Sequence, residues 1–379
     1  MTDHLTNEWG NGVRIAAVET AVIEGNFDWI LVRVTTDDGS SGLGEAYWGA
    51  GVLELIKAAS AFIISKNPFD VARIIFELQR CLSGAGSQAG ATVTTISGIE
   101  LALWDLVARA LDTPLSTLFG GRFRDRIRLY VDLHAGEEPT PESWAIRARD
   151  ALARGFSAVK FDIDAPNPYR ASSAENTDPW RLWYEPYNRT MSAAERRFIV
   201  DVVSAVRAAI GPDIDLALDC HWKYAVPDAI ALAHALEPLL PVWLEDPVPP
   251  DNVDALRAVA RSTRIPICTG ENHYRLAGFR ELILRQACQF VAHDIPKWAA
   301  SSRPATSLHW LNSMGCSSSH TTSRVPSARW QPHNSARPYP TSSRSSFMLS
   351  ISHGGRNSFS NDHSSKTVTS SSPIALGMV

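Results

Sequence analysis

Three acidic residues end three apolar runs of the sequence at a regular spacing. Asp219, Glu245 and Glu271 are separated by 26 residues and again by 26 residues. This is about the length of one strand–helix unit, so in a parallel β/α barrel the three carboxylates would lie side by side on neighbouring strand ends. Solvated acids after strands are the alternative. Clustered carboxylates repel unless a cation lies among them, and an all-oxygen set suits Mg²⁺.

Other reactive side chains cluster on the same predicted strands. Lys160 and Asp162 alternate to one face of the strand that precedes Asp219. Such a lysine is either a solvated charge or a base with a lowered pKa that points into a metal site. His221 faces the same way as Asp219, and it is either a structural residue or one that takes part in catalysis.

Two further candidates lie on the later strands. Asp294 ends the sixth apolar run, where an acid could orient a histidine. His273, two residues after Glu271, joins Asp162 as a candidate substrate-binding residue.

A strand–helix alternation over residues 126–297 would position these side chains. Helix signals separate the strands: Thr140-Pro141 begins one helix, and the capping box from Ser192 begins another that stops at Gly211. Six such units favour a parallel barrel. The intervening segment 165–191 is too long for an ordinary βα loop and should cover the carboxyl-terminal face. The predicted strands are 128–134, 157–164, 213–221, 241–247, 265–271 and 289–297.

The first 125 residues predict a separate α+β domain. Residues 13–46 have the pattern of a three-stranded antiparallel meander. Helical periodicity follows around 51–64, 69–82 and 97–111.

Composition excludes several classes of protein. The 379 residues are 45% hydrophobic and 20% charged, with a net charge of −4, which gives no reason to expect a nucleic-acid or membrane partner. We find no apolar run typical of a secretory signal or a membrane span. The five cysteines are odd in number and form no CxxC pair, so we expect reduced thiols and a cytoplasmic protein.

The composition changes abruptly at about Trp298. Residues 298–379 hold 23 serines, seven of the 36 lysines and arginines, and one of the 40 acidic residues, Asp362. Apolar residues there follow neither period 2 nor period 3.6. We therefore expect a barrel that is incomplete after its sixth strand, followed by a disordered or irregular tail.

Together these motifs resemble the enolase superfamily, and within it the acid-sugar (galactonate-type) dehydratases of the mandelate-racemase group. The resemblance covers about residues 13–297. Besides the three spaced acids, it rests on the Glu-Asp-Pro and Thr-Gly-Glu contexts, on Asp-x-His at 219–221 and on Ser-Gly-Ile-Glu-x-Ala-Leu-Trp-Asp at 97–105. The resemblance implies a capping domain that closes over a (β/α)7β barrel.

The resemblance also implies a mechanism. Mg²⁺ on Asp219, Glu245 and Glu271 holds the carboxylate of a sugar acid, a base removes the α-proton, and the metal stabilises the enediolate. A histidine placed like His221 protonates the departing 3-hydroxyl. The base is a histidine on strand seven, oriented by an aspartate placed like Asp294.

The sequence departs from the family at two places. The second strand carries Lys-x-Asp instead of Lys-x-Lys, which weakens the case for racemase chemistry. The strand-seven histidine is not at its expected place. A base missing from the codon of Trp298 would explain the absent histidine. If every later codon is read one base earlier, the codons permit Gly-Gly at that point and Pro-His at Ser319-His320. They also permit a closing Pro-Gly-x-Gly within 373–379, and all three motifs are those of the family.

We therefore expect a Mg²⁺-dependent hydro-lyase that converts an aldonate or aldarate to a 2-keto-3-deoxy acid, impaired as written by an out-of-frame tail. The intact family member would be a homo-oligomer with a small sugar acid as its partner. Two alternatives remain open: a racemase or epimerase of a 2-hydroxy acid with Lys160 as base, and a non-catalytic fragment.

Overall fold

The computed structural model has an α+β unit followed by a β/α barrel, which confirms the predicted fold class. The residues it describes are 12–23, 28–122, 125–134, 140–164 and 189–298, together with the backbone of 317–320 and 348–352.

Three antiparallel strands form the sheet of the N-terminal unit, in the order β1 (Ile15–Ile23), β2 (Trp29–Thr36) and β3 (Ser41–Ala46). Alternate residues of β2 point inward and pack against the helices, because side chains of a strand alternate between its faces. The helices of this unit are α1 (Val52–Ile63), α2 (Val71–Cys81), α3 (Gly90–Ala110) and α4 (Leu115–Leu118).

Helix α3 packs against β3 through glycines. A Cβ on Gly42 would lie 2.1 Å from the carbonyl oxygen of Ala102, and one on Gly44 would lie 2.2 Å from that of Gly98. Only glycine permits this approach. The helix begins before residue 97, its predicted start, and no side chain caps it. By length and composition alone it could span a membrane, but most of it is buried like a core helix.

The barrel alternates parallel strands with helices, as predicted. Its first six strands are β4 (Arg128–Leu133), β5 (Ala158–Asp162), β6 (Asp215–Asp219), β7 (Trp243–Glu245), β8 (Ile267–Thr269) and β9 (Phe290–His293). The helices are α5 (Pro141–Ala153), α6 (Ala193–Ile210), α7 (Val226–Leu236), α8 (Val253–Ser262), α9 (Arg275–Leu284) and the short α10 (Ile295–Trp298).

The two predicted helix caps are both present, but only the one at Thr140 forms a complete capping box. Thr140 accepts from the Ser143 N–H in a complete capping box. Ser192 accepts from the Glu195 N–H, but the Glu195 carboxylate pairs with Lys223 at 3.0 Å. The long segment 165–191, predicted to cover the barrel face, lies outside the described residues except for its last three.

One side chain from each of the first six strands fills the barrel interior below the charged rim. Trp243 is central to this layer, with its ring centroid 5.7 Å from that of Tyr130 and 5.3 Å from that of Phe290. Two residues further along, β5, β6 and β7 present charged groups on the same face. The apolar layer therefore forms the floor of the site. Its members are Tyr130, Ala158, Ala217, Trp243, Cys268 and Ala292.

Two short backbone segments close the ring where the sequence predicts an incomplete barrel. Strand β10 (Ser317–His320) pairs in parallel with β9, and β11 (Met348–Ser352) pairs in parallel with both β10 and β4. Without them, β9 and β4 would be edge strands with unpaired N–H and C=O groups. The six predicted strands are present, and the expected irregular tail contains these two paired segments.

Candidate active site

Two of the three spaced acids meet at one cation on the barrel rim. Asp219 and Glu245 end β6 and β7, pair with each other in the strand register, and are 2% and 1% exposed. The Lys160 Nζ lies 2.6 Å from Asp219 Oδ2 and 2.9 Å from Glu245 Oε2. The Trp243 indole N–H donates to the same Glu245 oxygen at 3.0 Å, so the barrel floor holds this carboxylate in place.

The third acid, Glu271, follows a tight turn after β8. Gly270 has φ +147°, and a Cβ there would lie 2.4 Å from the carbonyl oxygen of Ala292, so only glycine fits. Glu271 is partly exposed. Its negative charge contributes to raising the pKa of both Glu245 and Asp246, which places it within electrostatic range of the other rim acids.

Burial and neighbouring charges set the protonation of this rim. Burial raises the pKa of Glu245 to about 7, although Lys160 partly offsets it. Burial would lower the pKa of Lys160, but Asp219 and Glu245 outweigh it and hold that pKa well above its ordinary value. Burial would raise the pKa of Asp219, but the charges of His221 and Lys160 and their hydrogen bonds lower it. Lys160 is therefore a cation in this arrangement.

His221 is held on three sides by acidic residues. Its Nδ1 is 3.0 Å from Asp164 Oδ1, and its Nε2 is 3.9 Å from both Asp162 Oδ1 and Asp219 Oδ2. Its backbone is left-handed, with φ 43°, and its N–H donates to Asp219 Oδ1 at 3.0 Å. Burial would lower the pKa of His221, but Asp219, Asp162 and Asp164 together hold it well above its ordinary value.

The residues fit a divalent cation. Glu245 Oε1 is buried without a hydrogen-bond partner among the described residues, next to a second carboxylate already committed to a positive charge. The donor atoms of Asp162, Asp219 and His221 lie within 4.8 Å of one another and form a second possible set. That set includes a ring nitrogen, a poor ligand for Mg²⁺, and a protonated imidazole beside two acids explains it without a metal.

Asp294 is brought to the rim but meets a lysine. Lys297 of α10 lies 2.7 Å from Asp294 Oδ2, donates to the Glu271 carbonyl oxygen at 2.6 Å, and stands 4.1 Å from the ring centroid of Tyr47. Tyr47 follows β3, so Lys297 joins the N-terminal unit to the barrel.

His273 stands apart from the rim cluster. Its ring centroid is 5.7 Å from that of Phe279 in α9. Burial lowers the pKa of His273 to about 4. Within the part of the chain that the structure describes, no hydrogen bond or ion pair joins it to the rim acids, so its proposed contact with substrate remains a prediction.

Three further acids at the rim were not predicted from the sequence. Asp132 is the second-last residue of β4, and burial raises its pKa. Asp246 follows β7 with φ 40° and accepts from the Thr269 hydroxyl. Asp164 contacts His221. The signal for Asp164 was present, because Lys160, Asp162 and Asp164 alternate along one strand.

Comparisons with known proteins identify the family of each unit and the fold. Residues 12–120 match the mandelate racemase / muconate lactonizing enzyme N-terminal domain, and residues 143–323 match the enolase C-terminal domain-like family. A mandelate racemase/muconate lactonizing enzyme-like protein from Rubrobacter xylanophilus superposes with a TM-score of 0.73 at 35% identity, over 83% of this chain and 80% of that one.

Curated relatives have sugar-acid names. A D-xylonate dehydratase of Haloferax volcanii is 41% identical over 78% of this chain and 69% of its own length. A D-gluconate dehydratase of Thermoproteus tenax is 30% identical over 68% of this chain and 50% of its own length. The match thus spans between half and about two thirds of these relatives. The chain belongs to the sugar-acid dehydratase family of the enolase superfamily.

Proposed function

We propose that this site carries out the Mg²⁺-dependent dehydration of an aldonate or aldarate to a 2-keto-3-deoxy acid. The observation that carries the proposal is the convergence of Asp219 and Glu245 on one buried cation position, with the His221 ring beside it. The named relatives, which are D-xylonate and D-gluconate dehydratases, support the substrate class.

Asp219, Glu245 and Glu271 would hold the metal, as the family resemblance implies. When bound, Mg²⁺ supplies positive charge that stabilises the negative charge left on a substrate carboxylate as its α-proton departs. Among the described residues Glu245 Oε1 has no hydrogen-bond partner, and this supports the assignment, because a buried oxygen without a partner is costly unless a ligand satisfies it.

The chain's own residues would do the rest. His221 donates the proton on Nε2 to the 3-hydroxyl, the C–O bond breaks, and water leaves. Lys160 and Asp162 line the space for the substrate. The proton acceptor implied by the family is a strand-seven histidine oriented by Asp294, which is not at its expected place in the chain as written and which the restored reading frame would supply.

The position of Lys160 speaks against the epimerase alternative. A lysine that abstracts an α-proton must be neutral before it reacts. Here two buried carboxylates within 2.9 Å keep the Lys160 ammonium protonated. The Lys160 ammonium also fills part of the space between the two acids, the position that a metal ion would share.

For the tail we propose the reading-frame change. The compositional break at Trp298 supports it, and so does β10, which occupies the strand-seven position with His320 paired to His293. We expect the chain as written to be insoluble or inactive, and a chain with one base restored near codon 298 to be a soluble dehydratase. The nucleotide sequence is the first check: a stop codon in the shifted frame before Pro-His would rule this out.

A substrate screen tests the function. The chain as written and the frame-restored chain are each incubated with Mg²⁺ and a panel of aldonic and aldaric acids that includes D-xylonate, D-gluconate and D-galactonate. We expect a 2-keto-3-deoxy acid from at least one of them with the restored chain. Interconversion of C2 epimers without keto-acid formation would favour the epimerase instead.

A further inference from the structure

We propose that Asp164 is a positioning residue for dehydration: it holds the His221 ring by its Nδ1 edge so that Nε2 faces the substrate space. This inference rests on the proposed function, in which His221 is the general acid.

The two side chains meet because β5 and β6 stay paired past their ends. Asp162 pairs with Asp219 in the register, and the Ile163 N–H donates to the Asp219 carbonyl oxygen at 2.8 Å. Asp164 is therefore carried alongside the residues that follow Asp219. The contact depends on a backbone hydrogen bond between neighbouring strands and does not rely on loop geometry alone.

The backbone around Asp164 is held by hydrogen bonds from two residues that follow β6. The Tyr224 hydroxyl donates to the Ile163 carbonyl oxygen at 3.2 Å, and this tyrosine is 1% exposed. The Lys223 Nζ donates to the Asp164 carbonyl oxygen at 3.2 Å and pairs with Glu195. The Asp164 carboxylate is 15% exposed, so its place is well defined.

The His221 ring needs such a holder because packing by the described residues encloses it only in part. Its side chain is 36% exposed, whereas the acids around it are mostly buried. Its backbone is fixed by the bond to Asp219 Oδ1, which leaves the two side-chain torsions. Asp164 is within hydrogen-bond distance of the ring, while Asp162 and Asp219 stand at 3.9 Å from Nε2, beyond it.

The chemical consequence concerns which nitrogen delivers the proton. A carboxylate on Nδ1 keeps a proton there and leaves Nε2 as the nitrogen that exchanges a proton with the reacting group. When the C3–O bond breaks, the Nε2 proton moves to the departing oxygen to form water, and Nδ1–H stays with Asp164. A ring turned by half a revolution would present carbon atoms to the substrate instead.

A nuclear magnetic resonance experiment on the full chain tests the contact directly. Histidine-selective ¹⁵N labelling, with His221→Asn to assign the ring, reports the Nδ1 proton. The spectra are recorded on both the written and the frame-restored chain. We expect a hydrogen-bonded Nδ1 proton, protected from exchange with water, that is lost in Asp164→Ala and exchanges faster in Asp164→Asn. Asp215→Asn, which neutralises a partly exposed acid paired with Arg128 at the other end of β6, should leave it unchanged.

An Nδ1 proton that is identical in wild type and both Asp164 variants would overturn the proposal; if Asp164→Ala does not fold, Asp164→Asn decides alone. Kinetics on the active protein add a second test. Asp164→Ala should lower kcat for dehydration by about 10- to 100-fold, as removal of a ligand-orienting partner does elsewhere, while α-proton exchange with D₂O continues. Equal loss of both rates would contradict it. If no sugar acid is dehydrated, the proposed function fails, but the spectra still decide the role of Asp164.

Discussion

Carboxylates are buried in two regions of the chain, and the two regions differ in whether a cation contacts them. At the barrel rim, Asp219 and Glu245 share the Lys160 ammonium. In helix α3, Glu100 is 0% exposed, and neither of its oxygens has a hydrogen-bond partner in the described parts of the chain. Burial raises the pKa of Glu100 to about 8, although Trp104 and the charge of Arg275 partly offset it.

The difference lies in how close a cation is. At the rim, the ammonium in direct contact allows two carboxylates to share a small buried space, which is the arrangement that a metal site requires. The charge of Arg275 acts on Glu100, but the Arg275 guanidinium donates its hydrogen bonds to Gln79 and Gln88 of the N-terminal unit. We therefore expect Glu100 to be largely neutral at pH 7, whereas Asp219 and Lys160 at the rim are charged.

The largest expected effect is on turnover. Glu245→Gln keeps the size of the side chain but removes a negative charge from the cation position. Because metal-ion stabilisation contributes several kcal/mol to a transition state and each 1.36 kcal/mol is tenfold in rate, we expect kcat to fall by about 10³-fold or more. Glu100→Gln is the matched control and should leave kcat close to wild type. Steady-state kinetics on the frame-restored chain measure both, and near-normal turnover in Glu245→Gln would show that this carboxylate is not a metal ligand.

A smaller effect should appear in stability when the cation is removed. Lys160→Met leaves two buried carboxylates without their partner, and breaking a buried ion pair in this way costs about 3–5 kcal/mol. Urea unfolding without metal measures the loss. Lys66→Met is the control, because its partner Glu77 is 31% exposed, and we expect under about 1 kcal/mol there. Similar losses in the two variants would mean that the rim is no more dependent on its cation than the surface.

Whereas Lys160→Met should lower the free energy of unfolding, Glu100→Gln should raise it relative to wild type as the pH increases. The folded pKa of Glu100, about 8, lies above the ordinary value of 4.5, so between these pH values the folded chain keeps a proton that the unfolded chain releases. The free energy of unfolding therefore falls as pH rises through this window and levels off above about pH 8. Glu100→Gln cannot titrate, so relative to wild type it should gain stability with rising pH, by a few kcal/mol at about 1.4 kcal/mol per pKa unit.

Urea unfolding at several pH values between 5 and 8.5 checks this. Glu142→Gln, which changes an acid that is 70% exposed, is the control and should follow the wild-type slope. If Glu100→Gln also follows that slope, Glu100 is ionised in the folded chain and some unrecognised group neutralises it.

The acidic residues and the lysine of the barrel rim could be predicted because two sequence periods place them there. The repeat of 26 residues places acids on successive strand ends, and the alternation of a strand places Lys160 and Asp162 on one face. The sequence also predicts the strand–helix order and the cap at Thr140. These features depend on residues close together in the chain, so local patterns carry them.

The remaining features depend on contacts between distant elements. The Asp164–His221 contact requires β5 and β6 to stay paired beyond their ends. The position of Glu100 depends on which face of α3 the glycines of β3 accept. The pairing of β10 with β9 was not predictable from its own sequence, Ser-Ser-Ser-His, which has no apolar alternation, and it follows from the open edge of β9.

Magnesium binding tests the rim most directly. Isothermal titration calorimetry of Mg²⁺ into the metal-free, frame-restored chain should show one ion bound per chain. That binding should be lost in Glu245→Gln and retained in Glu100→Gln, because Glu245 and Asp219 converge on a shared buried cation position, whereas no ion pair joins Glu100 to a cation among the described residues. Equal Mg²⁺ binding by wild type and Glu245→Gln, or no binding by a folded wild-type chain, would contradict a metal centre at the ends of β6, β7 and β8.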